Sequence, residues 1–231
     1  MISDSIDLNF ATLLPYKTAI DLLNQLDELI GDDNKKWQQI IIKQAKSDYA
    51  HPLDIKLSAL KNSEQLATDW LITLFDTLFA QQNVVLIRGH DEPEYFPATN
   101  SNPARIEFAH GFFASALHEI SHWCVAGAKR RKLSDFGYWY AADGRNQAQQ
   151  LAFERVEIKP QALECLFTLA CQKPFQVSQD NLFATFETSA STFAADVYHQ
   201  VQYYINHPQS LPRDARTLLW ALLCLHTKYV Q

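Results

Sequence analysis

The 231-residue sequence predicts an α+β protein, mainly helical, with a small β-sheet beside a metal-binding helix. Apolar residues recur at helical spacing over most of the chain. Two short runs rich in β-branched and aromatic residues, "NVVLIRG" and "ARIEFAHG", interrupt that pattern and predict strands. Directly after the second run, "FASALHEISHWCVAG" carries an HExxH motif made by His118, Glu119 and His122. The length of 231 residues favours one well-cored domain with a smaller appendage.

Composition excludes several functional classes. Hydrophobic residues make up 47% and charged residues 20%, as in an ordinary globular protein. The net charge of −6 argues against nucleic-acid binding, and the basic run "KRRK" is interpreted as a solvated face or as a steering patch for an acidic partner. Acids stand where a signal peptide would be basic, and the apolar stretches are too short to cross a membrane, so we expect a cytoplasmic protein. Its cysteines form no CxxC pair and are expected to be reduced core thiols: Cys124, Cys165, Cys171 and Cys224.

Residues 1 to 62 are predicted to form a helical N-terminal extension, and residues 63 to 231 the metal-binding catalytic domain. Apolar positions recur at helical spacing from Pro15 to Ile30, and Gly31 closes that helix. A second helical stretch, "NKKWQQIIIKQAK", precedes a connector or short helix, "DYAHPLDIKLSALKNS". The extension holds no cluster of metal-ligand side chains, so we interpret it as a packing or partner-binding segment.

The catalytic domain is expected to begin with a helix over "SEQLATDWLITLFDTLFAQQ". Its apolar stripe is made by Leu66, Trp70, Leu74 and Leu78. The two predicted strands follow, and the intervening "HDEPEYFPATNSNP" is predicted to be a loop because it contains three prolines.

A helix containing the HExxH motif is expected to follow Gly111, which ends the second strand. The turn-rich "LSDFGYWYAADGRNQAQQ" separates it from a helix over "LAFERVEIKPQALECLFTLAC". Pro160 either kinks that helix or begins a new segment. After a loop, two more helices are expected around "TFAADVYHQVQYYINH" and "RDARTLLWALLCLHTKYV".

Two histidines four residues apart on a helix lie on one face, so His118 and His122 can present their imidazoles to one ion. A third protein ligand is then required, and Glu154 and Glu157 are the candidates. We expect Glu157 to lie within the apolar face of its helix and Glu154 toward the edge of that face. A carboxylate on an inward face needs a partner, so Glu157 is favoured and Glu154 is the alternative. The apolar face is predicted to consist of Phe153, Val156, Pro160, Leu163 and Phe167.

Three functions are compatible with this ligand set. In a minimal zinc metallopeptidase, Glu119 would be the general base that activates a metal-bound water. In an oxygenase, two histidines and one carboxylate leave positions open on iron for dioxygen and substrate. A non-catalytic protein with a structural zinc would need a closed site with four protein ligands. Spacing alone does not separate these functions.

The blocks "RIEFAHGFFASALHEISHWCVAG", "DFGYWY", "DGR" and "FERVEIKPQALECLF", with "DEPEYFPA", resemble the bacterial elongation factor P hydroxylase family. The resemblance runs from about residue 65 to the last helices and leaves out the N-terminal extension. It implies a non-haem metal hydroxylase with a zincin-like site that acts on the β-lysylated lysine of elongation factor P. The implied ligands are His118, His122 and Glu157. We expect one divalent metal, iron(II), with dioxygen as co-substrate, whereas 2-oxoglutarate is not implied.

Several further residues are candidates for substrate contact. Arg105 and Glu107 lie on one face of the second predicted strand, and form either a structural salt bridge or a substrate-contacting edge. His110 is a candidate partner for a metal ligand. Tyr138 and Tyr140 either belong to the core or form the wall of a channel for a long aliphatic amine. The substrate ammonium could be received by any of three acids: Asp135, Glu154 or Glu107.

Overall fold

The structure, a computed structural model, describes residues 8–31, 37, 60–138, 144–179, 181, 186 and 191–228. Its longer elements are α1 (Tyr16–Ile30), α2 (Leu60–Leu78), β1 (Val84–Arg88), β2 (Glu94–Phe96), β3 (Ala104–Phe108), α3 (Phe113–Arg130), α4 (Gln147–Ala170), α5 (Phe193–Asn206) and α6 (Arg213–Lys228). The predicted α+β class, mainly helical with a small sheet, is confirmed. The predicted stretch "NKKWQQIIIKQAK" and the connector after it lie almost wholly outside the described residues.

The sheet has three strands in the order β1-β3-β2, with β3 parallel to β1 and antiparallel to β2. Both predicted strands are confirmed, but the prediction that only a loop connects them is wrong, because β2 lies within it. Tyr95, at the centre of β2, is buried and stacks on Phe136 with ring centroids 4.0 Å apart. Asp135 accepts a hydrogen bond from the backbone N–H of Tyr95 at 3.0 Å. The strand β2 is too short to show an alternation of apolar and polar residues in the sequence. Residues from a distant segment of the chain hold it in place.

One face of the sheet packs against the helices α2 and α3. Alternate residues of β3 point into this interface and are buried: Ala104, Ile106 and Phe108. On α2, Trp70, Leu74 and Leu78 are buried as predicted, whereas Leu66 is exposed. The sheet therefore backs the helix that carries the HExxH motif.

The start of α3 is held by contacts from α2. Glu64 accepts a hydrogen bond from the backbone N–H of Phe113 at 2.7 Å, and Thr68 donates to the carbonyl of Gly111. Gly111 has a φ of +74°, so the chain turns sharply from β3 into the helix there. This turn sets the direction in which the motif histidines point.

The basic run after the motif is not simply a solvated face. The guanidinium of Arg130 lies 3.5 Å from the ring centre of Tyr138, and that of Arg131 lies 3.5 Å from a ring centre of Trp123. Arg131 also forms a salt bridge with Asp214 at 2.7 Å. Only the flanking lysines of the run are exposed. The two arginines thus hold the end of α3 against α6 and the following turn.

The helix α4 is continuous through Pro160, so the alternative in which Pro160 begins a new segment is wrong. Asn146 caps its start, accepting a hydrogen bond from the backbone N–H of Gln149 at 3.0 Å in a reciprocal capping box. The predicted apolar face is wrong in its first half, because Val156 is 36% exposed. The residues buried there are polar: Gln150, Glu154, Glu157 and Gln161.

The helix α1 belongs to the same hydrophobic core as the other elements. Leu22, Leu23 and Leu26 are buried where α1 contacts α6. The indole N–H of Trp220 on α6 also donates to the carboxylate of Asp27. The predicted helix and its end at Gly31, with a φ of +64°, are confirmed. All four cysteines are buried free thiols, and no helix within the described ranges is long and apolar enough to span a membrane.

Candidate metal centre

The two motif histidines lie one turn apart on the side of α3 that faces α4. Their Nε2 atoms are 3.1 Å apart. His122 is buried, whereas the side chain of His118 is 27% exposed. The site therefore has one closed side within the core and one side open to solvent.

Glu157 on α4 completes a cluster with both histidines. Its Oε1 lies 3.3 Å from Nε2 of His122, and its Oε2 lies 3.6 Å from Nε2 of His118. Each of the three residues offers one ligand atom, and these atoms lie within 4.8 Å of one another. The structure thus brings together the three residues that the sequence favoured.

Two properties of the cluster are those of a site for a divalent ion: the chemistry of its donor atoms, and a buried oxygen that has no hydrogen-bond partner. Oε1 of Glu157 is buried and has no hydrogen-bond partner. A buried carboxylate oxygen without a donor costs free energy, which a bound cation would offset. The Nε2 atoms of the two histidines are 3.1 Å apart, and each lies within 3.6 Å of a different oxygen of Glu157, so the three side chains are close enough to share one ion. Two imidazole nitrogens and one carboxylate suit zinc, iron and similar metals.

The charges of the cluster shift its pKa values strongly. Burial alone would lower the pKa of His118, but the carboxylates of Glu164, Glu157 and Glu119 raise it to about 10. Burial alone would raise the pKa of Glu157, yet the adjacent His122 and His118 hold it below its ordinary value. Without an ion, therefore, a proton on His118 balances the ionised Glu157.

Glu164 is the residue of this site that sequence reasoning missed. Its Oε2 lies 2.8 Å from Nδ1 of His118, on the opposite edge of the ring from Nε2. Glu164 follows Glu157 by seven residues on α4, which is two helical turns along one face. That spacing was the available signal, but it is informative only once α3 is known to lie against this face.

The alternative third ligand, Glu154, is held in a different network. Its two carboxylate oxygens accept hydrogen bonds from Ser191 at 2.8 Å and from Gln150 at 3.2 Å. Both partners are neutral, and both oxygens are already satisfied. Glu154 therefore connects α4 to the segment that precedes α5, and it is absent from the cluster formed by the two histidines and Glu157.

Glu119 is half-buried beside the first histidine. Burial raises the pKa of its carboxyl, although His118 and His122 oppose that shift. A carboxyl in this position can hold a proton near neutral pH more readily than an exposed glutamate.

The predicted substrate-contacting residues lie in several places. Arg105 and Glu107 form a half-exposed salt bridge of 2.9 Å on the sheet face opposite the helices. The exposed His110 has its ring 6.0 Å from that of Phe112, and the partner found for His118 is instead Glu164.

Two tyrosines and an aspartate remain among the candidate residues. Tyr138 packs beneath Arg130, and Asp135 is engaged with the backbone of β2. Tyr140 lies outside the described residues. Of these candidates, Tyr138 and Asp135 therefore have structural contacts that do not depend on a substrate.

Comparison with known proteins identifies the family to which the chain is related. The profile of a family described as elongation factor P hydroxylase matches residues 74–230. The chain belongs to the elongation factor P hydroxylase family. A relative from Haemophilus influenzae named elongation factor P lysine hydroxylase is 45% identical over 159 residues, covering 68% of this chain and 88% of the relative. The resemblance predicted from the HExxH helix and its flanking blocks is confirmed, and the chain is an enzyme of the hydroxylase class.

Proposed function

We propose that this hydroxylase acts on the β-lysylated lysine of elongation factor P and uses one metal ion held by His118, His122 and Glu157. The unpaired buried oxygen of Glu157 beside two imidazole nitrogens is the observation that carries the metal dependence. The name of the Haemophilus influenzae relative supports elongation factor P as the substrate. We infer iron(II) as the native ion and dioxygen as the co-substrate.

A redox-active ion supplies dioxygen activation, which a d¹⁰ zinc ion does not supply. In the overall reaction one oxygen atom enters a C–H bond, and a two-electron donor with two protons reduces the other to water. The two histidines contribute neutral Nε2 lone pairs, and Glu157 contributes a negative charge. Three protein ligands arranged as in a zincin-like site leave further positions open, as an oxygenase requires.

The remaining residues of the proposal bind substrate and transfer protons. We assign proton transfer to the carboxyl of Glu119, since burial raises its pKa beside the cluster. Glu107, paired with Arg105, lies on the sheet face opposite the helices, so we propose it as a contact for the surface of the protein substrate and not for the arm inside the metal site. Tyr138 and Tyr140 are proposed as aromatic walls for the aliphatic arm, and His110 as a further contact near the start of α3.

The test is intact-mass measurement on purified elongation factor P. Iron-loaded enzyme, given a reductant and β-lysylated factor in air, should add one oxygen atom, about 16 Da, without added 2-oxoglutarate. Zinc-loaded enzyme should add none. Unmodified factor should react more slowly, because the longer arm reaches deeper into a site with one buried side.

The controls separate this proposal from a zinc metallopeptidase with the same ligands. His118→Ala should abolish oxygen addition, whereas Glu154→Gln should retain the ability to bind the ion. Peptide cleavage by the zinc form that is lost in Glu119→Gln would favour the peptidase. Oxygen addition that persists in His118→Ala would show that the activity does not come from this site.

A further inference from the structure

Glu164 contacts His118 at the ring nitrogen that does not face His122 and Glu157. Nδ1 of His118 lies 2.8 Å from Oε2 of Glu164. The side chain of Glu164 is only 13% exposed, so this charge–ring contact is largely shielded from water. A short hydrogen bond to a shielded carboxylate is stronger than the same bond on the surface.

The position of Glu164 determines which nitrogen of His118 can bind an ion. An ionised carboxylate only accepts hydrogen bonds, so Nδ1 of His118 must carry the hydrogen that it donates to Glu164. In a neutral imidazole the lone pair is then on Nε2. Nε2 is also the atom of His118 that lies near His122 and Glu157.

The packing of α3 against α4 brings Glu164 to Nδ1 of His118. His122 is paired with Glu157, while His118, one turn earlier on α3, is paired with Glu164, two turns later on α4. The two helices therefore run antiparallel at the cluster, with one carboxylate facing the Nε2 atoms and another behind the ring of the more exposed histidine. His118 needs such support most, because its side chain is 27% exposed whereas His122 is buried.

We propose that Glu164 is a positioning residue for the metal site, which holds His118 in the Nδ1–H tautomer and orients its Nε2 toward the ion. The inference rests on the proposed metal site and deepens it. Glu164 has two separable effects. Its oxygen fixes the angle of the ring, and its negative charge makes Nε2 a better electron donor.

Metal affinity measured by competition with a chelator distinguishes these effects. Glu164→Ala removes both, and we expect it to bind one ion per chain about 10- to 100-fold more weakly than the wild type. Glu164→Gln keeps a carbonyl oxygen that can accept from Nδ1–H but lacks the charge, so its affinity should lie between the two. Glu154→Gln is the matched control, since it alters another buried carboxylate on the same helix with two hydrogen bonds of its own.

A spectroscopic measurement distinguishes positioning from a general effect on folding. In the zinc-loaded wild type, ¹⁵N–¹H NMR of the histidine rings should show a protected proton on Nδ1 of His118. That proton should exchange faster in Glu164→Ala and remain protected in Glu154→Gln. If Glu164→Ala does not fold, the comparison of Glu164→Gln with Glu154→Gln carries the test, because both preserve side-chain shape.

The possible contrary results bear either on the positioning role of Glu164 alone or on the metal site as a whole. Glu164→Ala binding the ion within about twofold of the wild type would refute the positioning role but leave the metal site intact. A proton on Nε2 and an ion on Nδ1 of His118 would also refute it, since Glu164 would then face the ion directly. A wild-type chain that binds no ion would refute the proposed metal site, and the positioning role with it.

Discussion

Glu157 Oε1 lies 3.3 Å from Nε2 of His122, yet this buried oxygen accepts no hydrogen bond. The side chain of Glu157 is 2% exposed, so water does not compensate for the missing donor. In contrast, both oxygens of the nearby Glu154 are satisfied by neutral side chains. The difference makes Glu157, and not Glu154, the expected third ligand.

Substitution of these two glutamates tests that assignment. Glu157→Gln should lose most of the bound metal, whereas Glu154→Gln should retain one ion per chain, as measured by elemental analysis of the purified proteins. The amide keeps the shape of the side chain but removes a charge that the neighbouring histidines stabilise, so the metal-free Glu157→Gln protein should be less stable than the metal-free wild type. Full metal content in Glu157→Gln together with loss in Glu154→Gln would reverse the assignment.

Metal binding should release a proton from His118. Its pKa of about 10 in the metal-free site means that the ring is protonated at neutral pH, while an ion requires the neutral ring. We expect release of about one proton per ion near pH 7.5, and an apparent affinity that rises with pH up to about pH 10. Calorimetric titration in two buffers of different ionisation enthalpy measures the number released.

The variant Glu164→Gln provides a control for the origin of this proton. Among the carboxylates that raise the pKa of His118, Glu164 has the largest effect, so its removal should reduce the proton release at the same pH. The pKa shift also affects stability. The folded-state pKa of His118 exceeds its ordinary value, so its contribution to metal-free stability is complete below about pH 6.5 and is lost as pH rises through about 10. Proton release that is unchanged in Glu164→Gln would contradict this account.

The core contribution of α1 is testable with two leucines of the same helix. Leu26 is fully buried at 0% exposure, whereas Leu29 is 40% exposed. Leu26→Ala should lower the free energy of unfolding by about 2–4 kcal/mol, because it leaves a cavity against α6. Leu29→Ala should change it by less than about 0.5 kcal/mol. Urea denaturation measures both, and equal effects would show that α1 does not pack into this core.

Neither leucine substitution should alter the number of bound ions. We also propose that the catalytic domain begins near residue 63, so a chain without residues 1 to 62 should keep the metal site. It should be less stable than the full chain, because α6 would lose the buried contacts of α1 and the hydrogen bond from Trp220 to Asp27. A folded chain of residues 63 to 231 without metal affinity would refute the boundary.

The salt bridge between Arg105 and Glu107 is expected to contribute to substrate binding more than to stability. Both side chains are half-exposed, so breaking the pair by Glu107→Gln should cost less than about 1 kcal/mol of stability. If Glu107 contacts the substrate, KM for β-lysylated elongation factor P should rise several-fold while kcat stays within about twofold. Steady-state kinetics with the protein substrate would measure this split.

The matched control is Asp69→Asn, which breaks another partly exposed ion pair, the 2.6 Å contact with Arg88. That variant should leave both kinetic constants near wild-type values. An increase in KM of the same size in both variants would assign the effect to the sheet as a whole and not to Glu107.

The approach of His118 to His122 was predictable from the sequence, because helical geometry places residues four apart on one face. The same local periodicity predicted the helix α1, the two longer strands and the start of the motif helix after Gly111. The sequence favoured Glu157, and the structure places Glu157 in a cluster with both histidines. The apolar helix face from which Glu157 was predicted is partly wrong, because Val156 is exposed and Glu154 is buried.

What the sequence determined is thus the set of local elements and the pair of histidines, since hydrogen bonding and side-chain periodicity within a helix depend only on near neighbours. The tertiary structure alone decided the rest. β2 forms because Tyr95 meets Phe136 and Asp135, and Glu164 reaches His118 although 46 residues separate them. Such contacts depend on how α3 and α4 pack, and their free energy comes from burial and charge pairing between segments whose relative positions no local pattern specifies.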